Sequence, residues 1–271
     1  RRWIHALIGT WIHHGRFQRY PIYMLCASAY TAVDCARFGN YKNRMYKWGY
    51  FPKTFHYNLD ELFSNKDSRK ILWIGRMLEW KHPDYALMVA KRLKDDGYNF
   101  TMEIGGMGEL ENDLRVKSET LKLTDCVHFL GAIPSDKVRS YMENAGIYLF
   151  TSDRREGWGA VLNEAMNSGC AVVACDAIGS VPFLIENNKN GLVYHSKEVD
   201  QLYENVKYLL DRKEEQRRLG KKAYKTCIRE WNAQVASERL ITVCRNLLAN
   251  KDVENLYNIG PCSKATIIKD E

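Results

Sequence analysis

The stretch from Ile147 to Ala174 reads IYLFTSDRREGWGAVLNEAMNSGCAVVA. Its ends, IYLF (147–150) and AVVA (171–174), are apolar runs short enough to be buried strands. Between them, GAVLNEAMNSG reads as a helix. Strand, polar turn, helix and strand in this order make a βαβ unit, whose right-handed crossover leaves its two strands parallel. The turn is richer than a connection requires, because EGWGAVLNE places Glu156 and Glu164 around a glycine-flanked Trp158.

The same alternation extends in both directions. ILWI (71–74), FTMEI (100–104), CVHFL (126–130) and GLVY (191–194) are further candidate strands. PDYALMVAKRLKDD, ELENDLRVKSETLKL, SDKVRSYMENA and a short VPFLIEN turn supply the helices between strands. The expected fold class is α/β, a Rossmann-like parallel sheet with helices on both faces. Three more helices are expected at about 198–211, 213–229 and 232–249, followed by an irregular 250–271. Upstream, 21–38 begins as an apolar strand and passes into a helix, and YKNRMYKWGYFPKTFH reads as a loop-rich connection.

Composition sets the outer bounds. A 271-residue chain with 45% apolar and 12% aromatic residues can bury a real core. No apolar run approaches the roughly 18 residues of a spanning helix, and the first residues, RRWIHALIGTWIHHGRF, are interrupted by Arg, His and Gly. The eight cysteines form no CxxC pair and several lie in apolar runs, as in GCAVVAC, which reads as reduced thiols in cytosol. The net charge of +7 is concentrated in residues 1–60, where nine Lys and Arg face only Asp34 and Asp60. The charge of that basic, aromatic segment suits anionic lipid, nucleic acid or an acidic substrate, or equally a solvated or once-covered face; the partners expected of it are a membrane face and a second copy, with no nucleic acid.

Ligands of open parallel sheets bind at the carboxyl ends of the strands, so the turns there carry the chemistry. They read GRMLEWK after ILWI, GGMG after FTMEI, GAIP after CVHFL and TSDRREGWG after IYLF. Glycine-rich turns that feed a helix aim free backbone N–H groups at one point, which suits a phosphate. Gly106 and Gly108 are expected to open a helix near Glu109, and Gly157 and Gly159 the helix carrying Glu164. With Arg76 and Lys81 from a third turn they compose a diphosphate site. Carboxylates would repel a diphosphate, so Glu164 is assigned to a ribose diol and Glu156 to the hydroxyls of a sugar on the other side. Glu164 lies about 7 Å along the helix from Gly159.

These pieces together resemble the donor-site signature of retaining GT-B glycosyltransferases of family 4. E-x7-E with EGWG at its head, IGRMLEWKHPDYALMVA, IGGMGEL and VHFLGAIP carry the resemblance, over roughly residues 70–250. It implies that Arg76 and Lys81 hold the donor diphosphate and, with Glu156, form the catalytic set. Glu164 would take the ribose. Gly75, Gly106 and Gly108, the backbone at Gly157, Trp158 and Gly159, and the neighbouring Val161 and Leu162 would line the donor. The base would lie against 129–133, which includes Phe129, Leu130 and Gly131. Trp158 stands where phenylalanine is frequent and His82 where glycine usually follows the lysine, changes that bear on sugar preference. No D-x-D motif is present, so no metal and no cofactor are expected beside the nucleotide sugar.

The resemblance also implies a domain plan. Residues 1–65 read as a remnant of an acceptor domain with its interdomain connection, 66–230 as the donor-binding domain, and 231–271 as a crossing helix and tail. The expected function is transfer of a sugar from a nucleoside diphosphate donor, UDP foremost, to a glycan or lipid-linked acceptor. Anomeric configuration would be retained, and the setting would be cell-surface polysaccharide synthesis in the cytoplasm or at the cytoplasmic membrane face. With so little acceptor domain, the chain alone is expected to bind donor and to transfer slowly or not at all. The rival readings are a donor-binding domain without catalysis of its own and a nucleotide-sugar epimerase on the same architecture.

Overall fold

The computed structural model describes residues 2–17, 19–37 and 41–266, which fall into two compact units. One combines residues 1–50 with 233–271; the other is 51–232.

The smaller unit contains α1 (Arg2–His13), β1 (Met24–Cys26), α2 (Ala29–Arg37), β2 (Met45–Lys47) and the helix Ala233–Leu248. The expected strand-to-helix passage over 21–38 is present as β1 and α2, with residue 38 outside the described residues. β2 corrects the reading of YKNRMYKWGYF as loop. Met45 and Tyr46 are buried, and β2 runs parallel to β1 with Met24 opposite Met45. The other edge of β2 takes the tail: Lys47 N donates to Ser263 O at 2.7 Å, and Ala265 N to Met45 O at 3.0 Å. The tail is thus held as an antiparallel bridge at Tyr46 and Lys264, and residues 267–271 lie outside the described residues. Tyr46, Val243, Val253 and Cys262 form the local core. Helix α1 was not expected, because its Arg, His and Gly hide a spacing of Ile4, Ile8, Trp11 and Ile12 along one helical stripe.

The larger unit is a six-stranded sheet of β3 (Asp67–Ile74), β4 (Thr101–Gly105), β5 (Val127–Gly131), β6 (Ala145–Phe150), β7 (Ala171–Cys175) and β8 (Leu192–Tyr194). Every pair is parallel, and the order is β5-β4-β3-β6-β7-β8. The chain lays β3, β4 and β5 outward to one edge, returns to the centre at β6, and proceeds to the other edge. A crevice between the β3 and β6 loops is the geometric result. β6 and β7 are buried along their whole length, which is why they read as unbroken apolar runs.

Helices α3 (Leu59–Ser64), α4 (Pro83–Asp95), α5 (Glu111–Thr120), α6 (Ser135–Asn144), α7 (Val161–Asn167), α8 (Val181–Leu184), α9 (Val199–Asp211) and α10 (Lys213–Arg229) complete the unit. α4 starts with Pro83, whose missing N–H costs nothing at that position. The segment before α3 is strapped to the unit: Asn167 accepts from Phe55 N at 2.8 Å and donates to Phe55 O at 3.1 Å, and Tyr57 N donates to Tyr224 Oη at 3.0 Å.

Five boundaries moved. β3 starts at Asp67 because backbone pairing with Ala145 draws the charged DSRK into the ladder. Ala145, read as the end of a helix, opens β6. α5 begins at Glu111 and α7 at Val161, each two residues later than the glycine turns suggested. α8 spans only VPFL, since Asn190 turns the chain back by accepting from Glu186 N and donating to Leu184 O. All eight cysteines are free.

Candidate functional site

At the carboxyl ends of β3, β4 and β5 the three turns are bonded to one another through backbone alone. Gly75 N donates to Gly105 O at 3.0 Å, Gly106 N to Gly131 O at 2.7 Å, and Met77 N to Met107 O at 2.9 Å. Gly106 has φ +121, and a Cβ there would stand 1.9 Å from Gly75 O. A Cβ on Gly108 would meet Met77 O at 2.4 Å. These glycines therefore first permit turn-on-turn packing, and so create a floor from which side chains are excluded. Gly157 has open space around its missing Cβ, whereas Gly159 (φ +74) sits against the Phe150 ring.

Above that floor, the β3 and β6 loops meet. The Lys81 ammonium donates to the Glu156 carboxylate, and Ser152 Oγ donates to the same oxygen, Oε2, at 3.2 Å. Each side chain of the ion pair is only 13% exposed, so solvent screens it weakly. The sequence assigns Lys81 to a diphosphate and Glu156 to a sugar; in the structure each is the other's partner.

Lys81 is aimed by the backbone that carries it. Trp73 Nε1 on β3 donates to Thr151 Oγ1 at 2.8 Å, and Thr151 Oγ1 donates to Lys81 O at 2.6 Å. Asp153 N donates to Trp80 O at 2.9 Å, a second tie between the two loops. His82 adopts φ 46, the left-handed conformation that glycine supplies more readily. Its ring stacks on Tyr85 with centroids 4.6 Å apart, and its Nε2 lies 3.7 Å from Asp153 Oδ2. Those contacts offset the backbone strain. Arg76, in the turn after β3, is exposed.

Glu164 sits in the first turn of α7, not five residues into a helix as the sequence reading had it. It is half-buried, and burial raises its carboxyl above the usual carboxylate range, an effect that Arg139 partly counters. Arg139 is fixed by Asn167 Oδ1 at 2.9 Å, by Lys53 O at 3.1 Å and by the Phe55 ring 4.4 Å beneath it. Glu164 is thus a desolvated acceptor with one cation held nearby.

Trp158 is corrected in side-chain role. Its indole is buried, donates to Asn163 Oδ1 at 2.9 Å, and packs against Phe183 and Trp231 with centroids 6.4 and 5.7 Å away. The tryptophan side chain is thus part of the core, which leaves its backbone, the part assigned to the donor, for the turn. Leu162 is wholly buried and Val161 half-buried. Phe129 and Leu130 are half-buried at the end of the edge strand, and Arg115 covers the Phe129 ring at 4.8 Å. Sequence reasoning missed Ser152, Thr151, Trp73 and Arg139. Ser152 and Thr151 follow IYLF directly and share the logic of the other turns, whereas Arg139 lies on a helix and carries no local signal.

Residues 58–226 match the family described as Glycosyl transferases group 1. The amylovoran biosynthesis glycosyltransferase AmsK of Erwinia amylovora is 31% identical over 176 residues, 63% of this chain and 42% of that protein. The putative colanic acid biosynthesis glycosyltransferase WcaL of Escherichia coli K12 is 32% identical over 127 residues, 45% of this chain and 31% of that one. The chain thus spans less than half the length of these curated relatives. Among solved structures, Anabaena Alr3699/HepE in complex with UDP superposes with a TM-score of 0.72 at 17% identity, over 89% of this chain and 68% of that one. Staphylococcus aureus TarM, solved with fondaparinux, α-GlcNAc-glycerol and UDP, gives 0.65 at 22% identity, over 73% and 39%. The parallel sheet has the fold of the GT-B glycosyltransferases on which it superposes, and the chain belongs to the glycosyl transferases group 1 family.

Proposed function

We propose that this chain forms the donor side of a glycosyltransferase that uses a nucleotide sugar, a UDP-sugar by preference. The transferred sugar would keep its anomeric configuration and pass to a glycan or lipid-linked acceptor in polysaccharide synthesis. The observation that carries this reading is the Lys81–Glu156 pair across the crevice, set on a floor of bare backbone. A diphosphate on that floor draws Lys81 away from Glu156 and recruits the exposed Arg76. Glu156, released, accepts the hydroxyls of the attached sugar, and the half-buried Glu164 accepts those of the ribose. Cleavage of the glycosyl–phosphate bond places negative charge on the leaving diphosphate, where the two recruited cations stabilise it. With that charge supplied by side chains, the proposal assigns no role to a divalent metal.

The UDP in the HepE and TarM structures and the polysaccharide pathways named for AmsK and WcaL support the reading. Titration calorimetry with UDP and UDP-glucose tests it. Saturable binding is expected, unchanged by excess EDTA, and weakened by Lys81→Ala through loss of about 1.5–3 kcal/mol from one charge-assisted contact. Absence of binding, or an unaltered Kd in Lys81→Ala, overturns the proposal; a tenfold loss in EDTA overturns its metal-free form.

A further inference from the structure

On α10, Arg218, Lys222, Lys225 and Arg229 recur at intervals of four, three and four residues, which places them on one stripe of the helix. The opposite stripe, Leu219, Gly220, Ala223 and Cys227, is buried in the unit. Lys222, Lys225 and Arg229 line the outer side, and no ion pair to an acidic side chain holds them among the described residues. Arg218 pairs with Glu215 and Arg229 complements the dipole in the last turn, but like charges at these spacings destabilise a helix, so the helix itself does not account for Lys222 and Lys225.

The stripe lines one wall of a groove of about 410 Å³, and the loop carrying Lys189 lines the other. That wall is built onto α10. Asn190, itself buried, donates to Thr226 Oγ1 at 3.0 Å, and Arg218 Nη2 donates to Asn188 O at 2.9 Å. Arg218 is in turn held by Glu215, Lys189 pairs with the exposed Glu186, and Glu230 lines the groove next to Arg229. Lys222, Lys225 and Arg229 therefore lie in a row along one wall of an open groove. From Arg218 to Arg229 the groove is about 16 Å long at 1.5 Å per residue, too long for one phosphate and suited to a row of anions.

We propose that this groove binds a linear acidic polysaccharide, its carboxylates meeting Lys222, Lys225 and Arg229 and its hydroxyls meeting Thr226 on the floor. Two features favour this occupant over the other polyanions. No lining residue is apolar, so nothing here enters a lipid layer. No lining residue is aromatic, so nothing stacks on a nucleobase. The groove is separate from the Lys81–Glu156 crevice, and the inference does not rest on the donor-site reading.

The test titrates the whole chain with hexagalacturonate, with neutral maltohexaose as the control, and compares the Lys222→Glu/Lys225→Glu/Arg229→Glu variant. Thermal melting and far-UV circular dichroism of the variant establish that it folds. The wild type should bind hexagalacturonate and not maltohexaose, with affinity falling as salt rises. The variant should bind at least about tenfold more weakly, because three cations of the stripe reverse sign. Equal binding by wild type and folded variant, or none by either, overturns the proposal. So does tighter wild-type binding to phosphatidylglycerol vesicles or to a single-stranded oligonucleotide.

Discussion

Replacing Glu164 with glutamine separates its two expected roles by pH. In the empty protein, burial raises the carboxyl, so the folded state holds its proton to higher pH than the unfolded chain does. Between the unfolded value and the raised folded value, the native state binds more protons, and stability falls as pH rises through that window. Glutamine carries no charge to desolvate. The variant should therefore melt higher than the wild type at neutral pH, and the difference should vanish once both states are protonated at acid pH. Binding runs the other way. An ionised Glu164 accepting ribose hydroxyls makes charge-assisted bonds of about 1.5–3 kcal/mol each, where a neutral amide oxygen makes one of about 0.5–1.5 kcal/mol. The loss for UDP should be about 1.5–3 kcal/mol, roughly 10- to 150-fold in Kd. Calorimetry of both proteins from pH 5 to 8, read as their ratio, cancels the ionisation of the nucleotide itself. The ratio should shrink on acidification as Glu164 takes up its proton. A ratio near one at pH 8, or one that grows toward pH 5, refutes the ribose assignment.

Gly106→Ala forces a Cβ to within 1.9 Å of Gly75 O and should cost at least the 1–3 kcal/mol of an overpacked core, whereas Gly157→Ala, in open space, should melt like the wild type. Trp158→Phe leaves the buried Asn163 Oδ1 without its donor, so urea denaturation should show a loss of about 1–3 kcal/mol while the UDP Kd stays within a factor of about two. A double-mutant cycle on Lys81→Met and Glu156→Gln, followed by melting, should give a coupling of about 0.5–3 kcal/mol in the empty protein. The same coupling should fall when UDP-glucose is bound, because each partner then has another.

The sheet was legible because its central strands are buried on both faces. IYLF and AVVA allow no other reading, and the glycine turns mark where strands end. Placement was legible where it is local: Lys81 and Glu156 lie in those turns and meet as an ion pair. What escaped depends on partners distant in sequence. β2 is a strand because β1 and the tail near Ser263 flank it, and three residues carry too little pattern to announce that. Trp158 looked like a contact residue because its turn does; only Phe183 and Trp231 show that its ring turns inward. Arg139 reaches the Glu164 neighbourhood through bonds to Asn167 and Lys53, neither adjacent in sequence.

The backbone lattice joining Gly75, Gly105, Gly106 and Gly131 has a consequence for how the crevice fluctuates. Loops at ligand sites usually open locally and exchange their amide protons quickly, because little holds them to the core. Here the amides of Gly75, Gly106 and Met77 are spent on neighbouring turns, so they exchange only when the strands behind them separate. Their exchange rates should therefore group with those of β3 and β4 and not with surface loops. Mobility in the crevice is left to side chains: the lysine and glutamates can change partners while the surface beneath them stays fixed, and substitutions among those side chains can retune the ligand without loosening the fold.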